Sequence, residues 1–378
     1  MSDEPKKIFF SYGTVGLMGE PAYKAARQVL DDYYHTGPPE VLFAYEPMVA
    51  RLRAEVAKLL RCGEDEVTYI KNTSEGINIA AAALPLERGD EVLLGANEYP
   101  ANLLLWLRKK KEGIGVRIVE GNDNEKIFEN MLASIGPRTK AVSLSWAQHY
   151  DGYLPDLGAF SDICRKRGIY LVMDAVQGIG VREIDLRKTP VDILVCGGQK
   201  YLGAIIGIGF MYVNRDTLPH LGDTALGIRS VQNFDTNSYI LKGTTERFED
   251  GTMNLLGIVA LHAALEELNS IGIKQIVKTN DALMARFKAH LHERGVAFID
   301  YPLQGNILAL KVGNPVALGK YLMSKHIYTK PIKDILRVSF SHTSTFEDFA
   351  VLVQNIVEWR EAQEQSTPVP HGSLAVIA

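Results

Sequence analysis

Lys200 follows an apolar, strand-like run, Val191–Cys196, and sits in a glycine-rich stretch, Gly-Gly-Gln-Lys-Tyr-Leu-Gly at 197–203. A lysine at the mouth of a buried strand either keeps its charge at a cost or works as an amine nucleophile, because burial lowers its pKa readily. Upstream, Gly-Ile-Tyr-Leu-Val-Met-Asp-Ala-Val-Gln at 168–177 places Asp174 at the end of a second buried strand. Further back, Lys-Asn-Thr-Ser-Glu-Gly-Ile-Asn at 71–78 is a polar turn that opens an apolar helix. Together these supply an amine, a buried carboxylate and a helix N-terminus. A pyridoxal phosphate site needs that set: a trap for the aldehyde, a partner for the pyridinium nitrogen and a cradle for the phosphate.

The elements that must hold these residues are legible from periodicity. Strand-like runs at Val67–Ile70, Glu91–Leu94, Val116–Val119, Ala141–Trp146, Ile169–Met173, Ile193–Cys196 and Gly209–Val213 alternate with helical patterns. Those helices are expected at Glu46–Arg61, Ser74–Leu84, Ala101–Lys111, Glu125–Leu132 and Pro155–Arg167. Continuous apolar strands separated by helices predict an α/β fold: a three-layer αβα body around a mostly parallel sheet. Ligands of such sheets bind beyond the strand C-termini, where Asp174 and Lys200 fall.

After a polar, irregular stretch at Asp223–Thr245, two long helices (Leu255–Ile271, Ile273–Glu293) lead into a smaller α+β unit. Its expected strands are Ala297–Asp300, Ile307–Lys311 and Leu336–Ser339, with helices at Pro315–Lys325 and Thr345–Glu361. The expected division is a large domain over 15–250 and a small one over 251–365 that also takes 1–14. A mobile tail is expected over 366–378, and pattern already fades from Gln363.

With 378 residues and 46% hydrophobic content, the chain can bury a large core. A net charge of −4 and a pI near 6.2 give no basic field to draw nucleic acid or a membrane surface. Cys62, Cys164 and Cys196 are scattered, with neither disulfide-framework nor metal-ligand spacing, and the nine histidines form no metal motif. The N-terminus has no apolar signal core, and no apolar run approaches a membrane span. The expectation is a cytoplasmic enzyme with a small-molecule substrate, no metal, and neither nucleic acid nor membrane as partner.

Five ordered motifs carry a family resemblance: Thr-Ser-Glu-Gly-Ile-Asn at 73–78, Asp-Ala-Val-Gln at 174–177, Gly-Gly-Gln-Lys at 197–200, Arg-Phe-Glu-Asp-Gly-Thr at 247–252 and Arg-Val-Ser at 337–339. Over about Tyr69–Asp348 the chain resembles fold type I pyridoxal-phosphate enzymes of the class V aminotransferase group, which includes cysteine desulfurases, selenocysteine lyases and isopenicillin-N-epimerase-like proteins. The resemblance implies pyridoxal 5'-phosphate as cofactor and an α-amino acid as substrate. It assigns Lys200 as the Schiff-base lysine and proton shuttle, and Asp174 as the partner of the pyridine nitrogen. Gln177 would bond the ring oxygen, and Thr73 and Ser74 the phosphate. Tyr99 would stack on the ring where the family often has histidine, and His149 falls near the ring hydroxyl. Gln199 stands where histidine is common, and Gly197 where serine is common. Thr252 would reach the phosphate of a neighbouring subunit, implying a homodimer with a shared active site. Arg337 would clamp the substrate carboxylate. Plainer readings stand beside these: a snorkelling lysine, a capping aspartate, a capping Thr-Ser pair, a packing tyrosine and a structural histidine.

Besides these substitutions, the resemblance departs in the loop before the clamp arginine. Desulfurases carry a mobile cysteine before the clamp arginine, whereas residues 324–337 here contain none. The expectation is therefore a lyase performing β-elimination at a C–S bond of a cysteine- or cystine-like substrate, without persulfide chemistry. Transamination to a 2-oxo acid and epimerisation remain open, with Tyr12, Tyr239, His326 and Lys330 as candidates for choosing among them. A nicotinamide-dependent oxidoreductase, suggested by Gly203, Gly207 and Gly209, lacks GxGxxG order. A non-catalytic regulator on the same fold lacks a basic appendage before residue 40.

Overall fold

The structure, a computed structural model, describes residues 6–366. A short strand, β1 (Ile8–Phe9), precedes three helices, α1 (Glu20–Thr36), α2 (Pro38–Tyr45) and α3 (Pro47–Leu60). Each helix has a proline in its first turn, where the missing N–H costs no bond. The alternating region follows: β2 (Val67–Ile70), α4 (Thr73–Ala83), β3 (Glu91–Gly95), α5 (Pro100–Lys109), β4 (Gly115–Val119) and α6 (Asn124–Ser134). It continues through β5 (Thr139–Ser145), α7 (Leu157–Arg167), β6 (Tyr170–Asp174), β7 (Ile193–Gly197) and β8 (Gly209–Val213).

These seven strands form one sheet in the order β2-β8-β7-β6-β5-β3-β4. Its pairings are parallel except those of β8, which runs antiparallel to β2 and β7. Alternate residues face opposite layers. Leu93, Val142, Leu144, Met173 and Leu194 enter one core with α3 and α8 (Leu255–Ile271). Their neighbours Val92, Leu94, Ala141, Val172, Ile193 and Val195 enter the other with α4 and α5. The result is the expected three-layer αβα body. Asp174 shares the strand face of Val172, the face that α4 covers.

A hairpin, β9 (Val231–Phe234) and β10 (Tyr239–Leu241), precedes α8, which is followed by α9 (Ile273–Glu293). The chain ends in β11 (Ile307–Lys311), α10 (Pro315–Ser324), β12 (Ile327–Tyr328), β13 (Lys330–Ile332), β14 (Ile335–Ser339) and α11 (Phe346–Ser366). Strands β11-β14-β13 form an antiparallel sheet, and β1 pairs in parallel with β12. A separate core joins Ile8 and Phe10 to Phe287, Leu310, Leu322, Leu336, Val338 and Phe349. This α+β unit lies against the larger body, while the apolar residues of α8 pack into the larger core.

Several expectations are corrected. The stretch Asp223–Thr245 is not irregular throughout, because it contains the β9–β10 hairpin. Its Phe234, Tyr239 and Ile240 are exposed, so it has no buried face to write an alternation. Ala297–Asp300 is not a strand; only Phe298 bridges to Leu310. Helix α1 left no readable pattern because its buried stripe is only Ala22, Ala26 and Val29, while Tyr23, Leu30, Tyr33 and Tyr34 face outward. Gln363–Ser366 continue α11. Residues 367–378, the rest of the expected tail, lie outside the described residues. Among the described residues no single helix is long and apolar enough to cross a membrane.

Candidate active site

Beyond the C-terminal ends of β5 and β6 and the loop after β7 lies a cleft of about 550 Å³, roofed by β13 and β14 of the smaller unit. Asp174 closes β6 and Ser145 closes β5, paired in register. The strand ends are fixed by Trp146 N donating to the Asp174 carbonyl at 2.9 Å and Ala175 N to the Val195 carbonyl at 2.9 Å. The Asp174 carboxylate is buried, and its Oδ1 accepts from Val176 N at 3.0 Å. Burial pushes its pKa up, against the Val176 N–H and the Lys200 charge. The plain capping reading is thus true of one oxygen, while the carboxylate still faces the cleft.

Lys200 stands three residues past the end of β7. Its loop is held to the N-terminal segment, with Gly16 N donating to the Gln199 carbonyl at 2.7 Å; a Cβ on Gly16 would collide with the Lys200 carbonyl. Burial drives the Lys200 amine down to about 8, with Asp174 opposing and Arg337 adding to the shift. Its Nζ lies 5.9 Å from the Tyr99 ring centroid. That ring meets His149 edge-on, centroids 5.3 Å apart. Burial, then Arg337 and Lys200, pushes His149 down to about 4, so the imidazole is neutral near pH 7.

Helix α4 begins at Thr73, and its cap is Asn72, whose Oδ1 accepts from Glu75 N at 3.0 Å. Capping therefore does not fall to Thr73 or Ser74, whose N–H groups lie in the unsatisfied first turn. Gly76 lets α4 approach the sheet, since a Cβ there would lie 2.5 Å from Val195 Cγ1. Gln177 donates through Nε2 to the Gly13 carbonyl at 2.9 Å. The Gln199 side chain fills the space a side chain at Gly197 would need. Arg337, in β14, is buried; its Nη1 donates to the His149 carbonyl at 2.7 Å and its Nη2 to Thr14 Oγ1. Burial lowers its pKa, and no carboxylate among the described residues lies within ion-pair distance.

Of the ten residues assigned to catalysis, cofactor or substrate, nine line one cleft, while of the four candidates for reaction choice Lys330 lines it and Tyr12, Tyr239 and His326 do not. The tenth, Thr252, is exposed on the loop before α8. Sequence reasoning missed Thr14, Asn72, Ser145 and, above all, Glu98. The Glu98 carboxylate is buried beneath Ser145, accepting from Ser145 N at 2.8 Å, Ser145 Oγ at 2.6 Å and Asn102 Nδ2 at 2.8 Å. Burial pushes it up to about 7, and Asp174 adds to the shift. Its one sequence signal is adjacency to Tyr99.

A model of the class V aminotransferases matches residues 43–352. The chain belongs to the class V aminotransferase family. Among its relatives, a probable cysteine desulfurase of Methanothermobacter thermautotrophicus is 31% identical over 227 residues, covering 60% of this chain and 57% of that one. A second probable cysteine desulfurase, of Pyrococcus abyssi, is 28% identical over 299 residues, covering 76% and 73%. Among solved structures, the cystine C–S lyase C-DES in complex with its product cysteine persulfide superposes with a TM-score of 0.87 at 20% identity, over 93% of this chain and 98% of that one.

This class V family member is a pyridoxal-phosphate enzyme. The residues present suit that cofactor. Thr73 Oγ1, Gln177 Oε1, Gln199 Oε1, His149 Nδ1 and Arg337 Nε are buried around the cleft without a protein partner. Buried polar atoms are ordinarily paired, so five such atoms around one cavity mark a place for a polar ligand. Lys200, Lys330 and Arg337 outweigh Asp174 in charge, which favours an anionic one. The nicotinamide reading falls with the family assignment. Gly203 and Gly207, at φ 69° and 91°, serve turns leading into β8 rather than a strand-to-helix phosphate loop.

Proposed function

We propose that this enzyme is a lyase that eliminates a thiol from Cβ of a cysteine- or cystine-like α-amino acid, without a persulfide on the protein. The observation that carries the reading is a cleft that presents a buried amine, a carboxylate and an arginine, and no thiol. Cys62 is partly exposed and lines a different pocket, Cys164 is buried in α7, and Cys196 is buried in β7. Burial pushes all three thiols up, so none offers a thiolate near neutral pH.

Bound pyridoxal phosphate supplies an electron sink that acidifies the substrate Cα–H. Asp174 would pair with the ring nitrogen and hold its proton. Thr73, Ser74 and the N-terminus of α4 would take the phosphate, Gln177 and His149 would take the ring oxygen, and Tyr99 would pack on the ring. Arg337 holds the α-carboxylate through a charged, directional bond. Lys200 would hold the cofactor, and its amine would serve as the base for the substrate Cα proton. The Cβ–S bond then breaks, sulfur leaves with the electron pair and takes a proton, as hydrogen sulfide from cysteine, a thiol from an S-alkyl cysteine or free cysteine persulfide from cystine, and water releases a 2-oxo acid and ammonia. In a homodimer of this kind, Thr252 completes the phosphate site of the other subunit.

Purified holoenzyme incubated with cysteine, cystine, S-alkyl cysteines and other amino acids tests this. The sulfur product (hydrogen sulfide, thiol or free persulfide, according to substrate) and pyruvate released in equal amounts, with no added acceptor, is the expected result. Amino transfer to a 2-oxo acid without thiol release, or change of configuration alone, overturns the lyase reading.

A further inference from the structure

Lys330 lines the cleft, is exposed, and has no carboxylate within ion-pair distance among the described residues. It lies in β13 directly opposite Arg337 in the antiparallel pairing of β13 with β14. Opposed residues project to the same side of a sheet, and both line the cleft. Like charges facing one another across a strand pair destabilise it. Neither side chain has a carboxylate within ion-pair distance among the described residues, and Arg337 bonds only to neutral acceptors.

The arrangement is also held in place. Pro331 fixes the backbone beside Lys330 and packs on α10 at Gly319, where a Cβ would lie 2.5 Å from the proline Cγ. A local rule broken this way is expected where a ligand supplies the missing charge. An amino-acid carboxylate can neutralise Arg337, and a phosphate belongs at α4. Lys330 is then left facing the cleft with its charge unmatched.

We propose that Lys330 selects substrates bearing a second anionic group, seated beside the α-carboxylate held by Arg337. The class this fits is an S-substituted cysteine whose distal part ends in a carboxylate, as cystine's does. The inference rests on the reading of the cleft as an amino-acid site.

Matched acid and amide pairs test it. The holoenzyme is titrated with L-aspartate and with L-asparagine, following the cofactor's visible absorbance. Turnover (kcat/KM) is compared for S-carboxymethyl-L-cysteine and its carboxamide. In at least one pair the acid is favoured by about tenfold or more, equivalent to about 1.4 kcal/mol, and added salt erodes the preference. Lys330→Met brings the ratio to near one, and Lys330→Glu inverts it. Because each ratio is taken within one variant, losses of folded or cofactor-loaded protein cancel. An acid favoured no more than its amide by the wild-type enzyme, or a preference that survives Lys330→Met, overturns the proposal and leaves the amino-acid reading intact. No response to any of these compounds or to L-alanine, in protein that keeps its colour, overturns both.

Discussion

At the scale of single residues, the chemistry is set by what burial does to three groups. The Lys200 amine, held near 8, must lose its proton before it can attack an aldehyde. Cofactor uptake by the apoenzyme should therefore accelerate as pH rises through about 8 and level off above it. Lys200→Ala should take up no cofactor covalently, which borohydride reduction and mass measurement would show. Arg337→Ala should lose roughly 1.5–3 kcal/mol of substrate binding, seen mainly as a raised KM for amino acids. Amines lacking a carboxylate should be affected much less. Glu98 is the group whose charge opposes its surroundings. Its folded-state pKa of about 7 exceeds that of an unfolded glutamate, so the native protein keeps a proton the unfolded chain has released. Stability from this group is present at low pH and falls as pH rises from about 4.5 to about 7. Glu98→Gln should flatten that fall, read from melting temperatures at about pH 5 and about pH 8. Lys200, Asp174 and Arg337 were legible because each is a charge set in an apolar run. Glu98 was not, because its burial comes from Ser145 and Asn102 packing over it across two elements.

At the scale of elements, α4 joins sheet packing to the proposed phosphate site. Its N-terminus reaches the cleft because Gly76 lets the helix sit close to Val195 of β7. Gly76→Ala would push a methyl group into that contact and should cost about 1–3 kcal/mol through overpacking. The same displacement should weaken cofactor binding, so melting temperature and cofactor affinity should fall together. A loss of stability with unchanged affinity would show that the helix position does not matter to the site. Parallel strands such as β6 and β7 announced themselves because both faces are buried and the run is continuously apolar. The β9–β10 hairpin and α1 did not, because their apolar residues face outward and no core imposes a period.

At the scale of the whole molecule, large apolar residues are exposed: Tyr34 (84%), Phe43 (83%), Ile206 (69%) and Ile228 (67%). Exposed apolar surface of this kind suits burial in a subunit contact, and Thr252 lies outside its own cleft. Under the proposed homodimer with shared sites, Lys200→Ala and Thr252→Ala proteins, each impaired alone, should regain activity when unfolded together and refolded as mixed dimers. No recovery in mixtures that light scattering shows to be dimeric would assign Thr252 another role. The sequence by itself determined the three-layer α/β body and the order of its motifs, because strand burial and helix periodicity are written along the chain. Only the tertiary structure decided that nine residues spread between 73 and 337 share one cavity, that Lys330 stands against Arg337, and that Glu98 lies under Asp174's neighbour. Those are contacts between distant segments, fixed by sheet register and layer packing rather than by any local pattern.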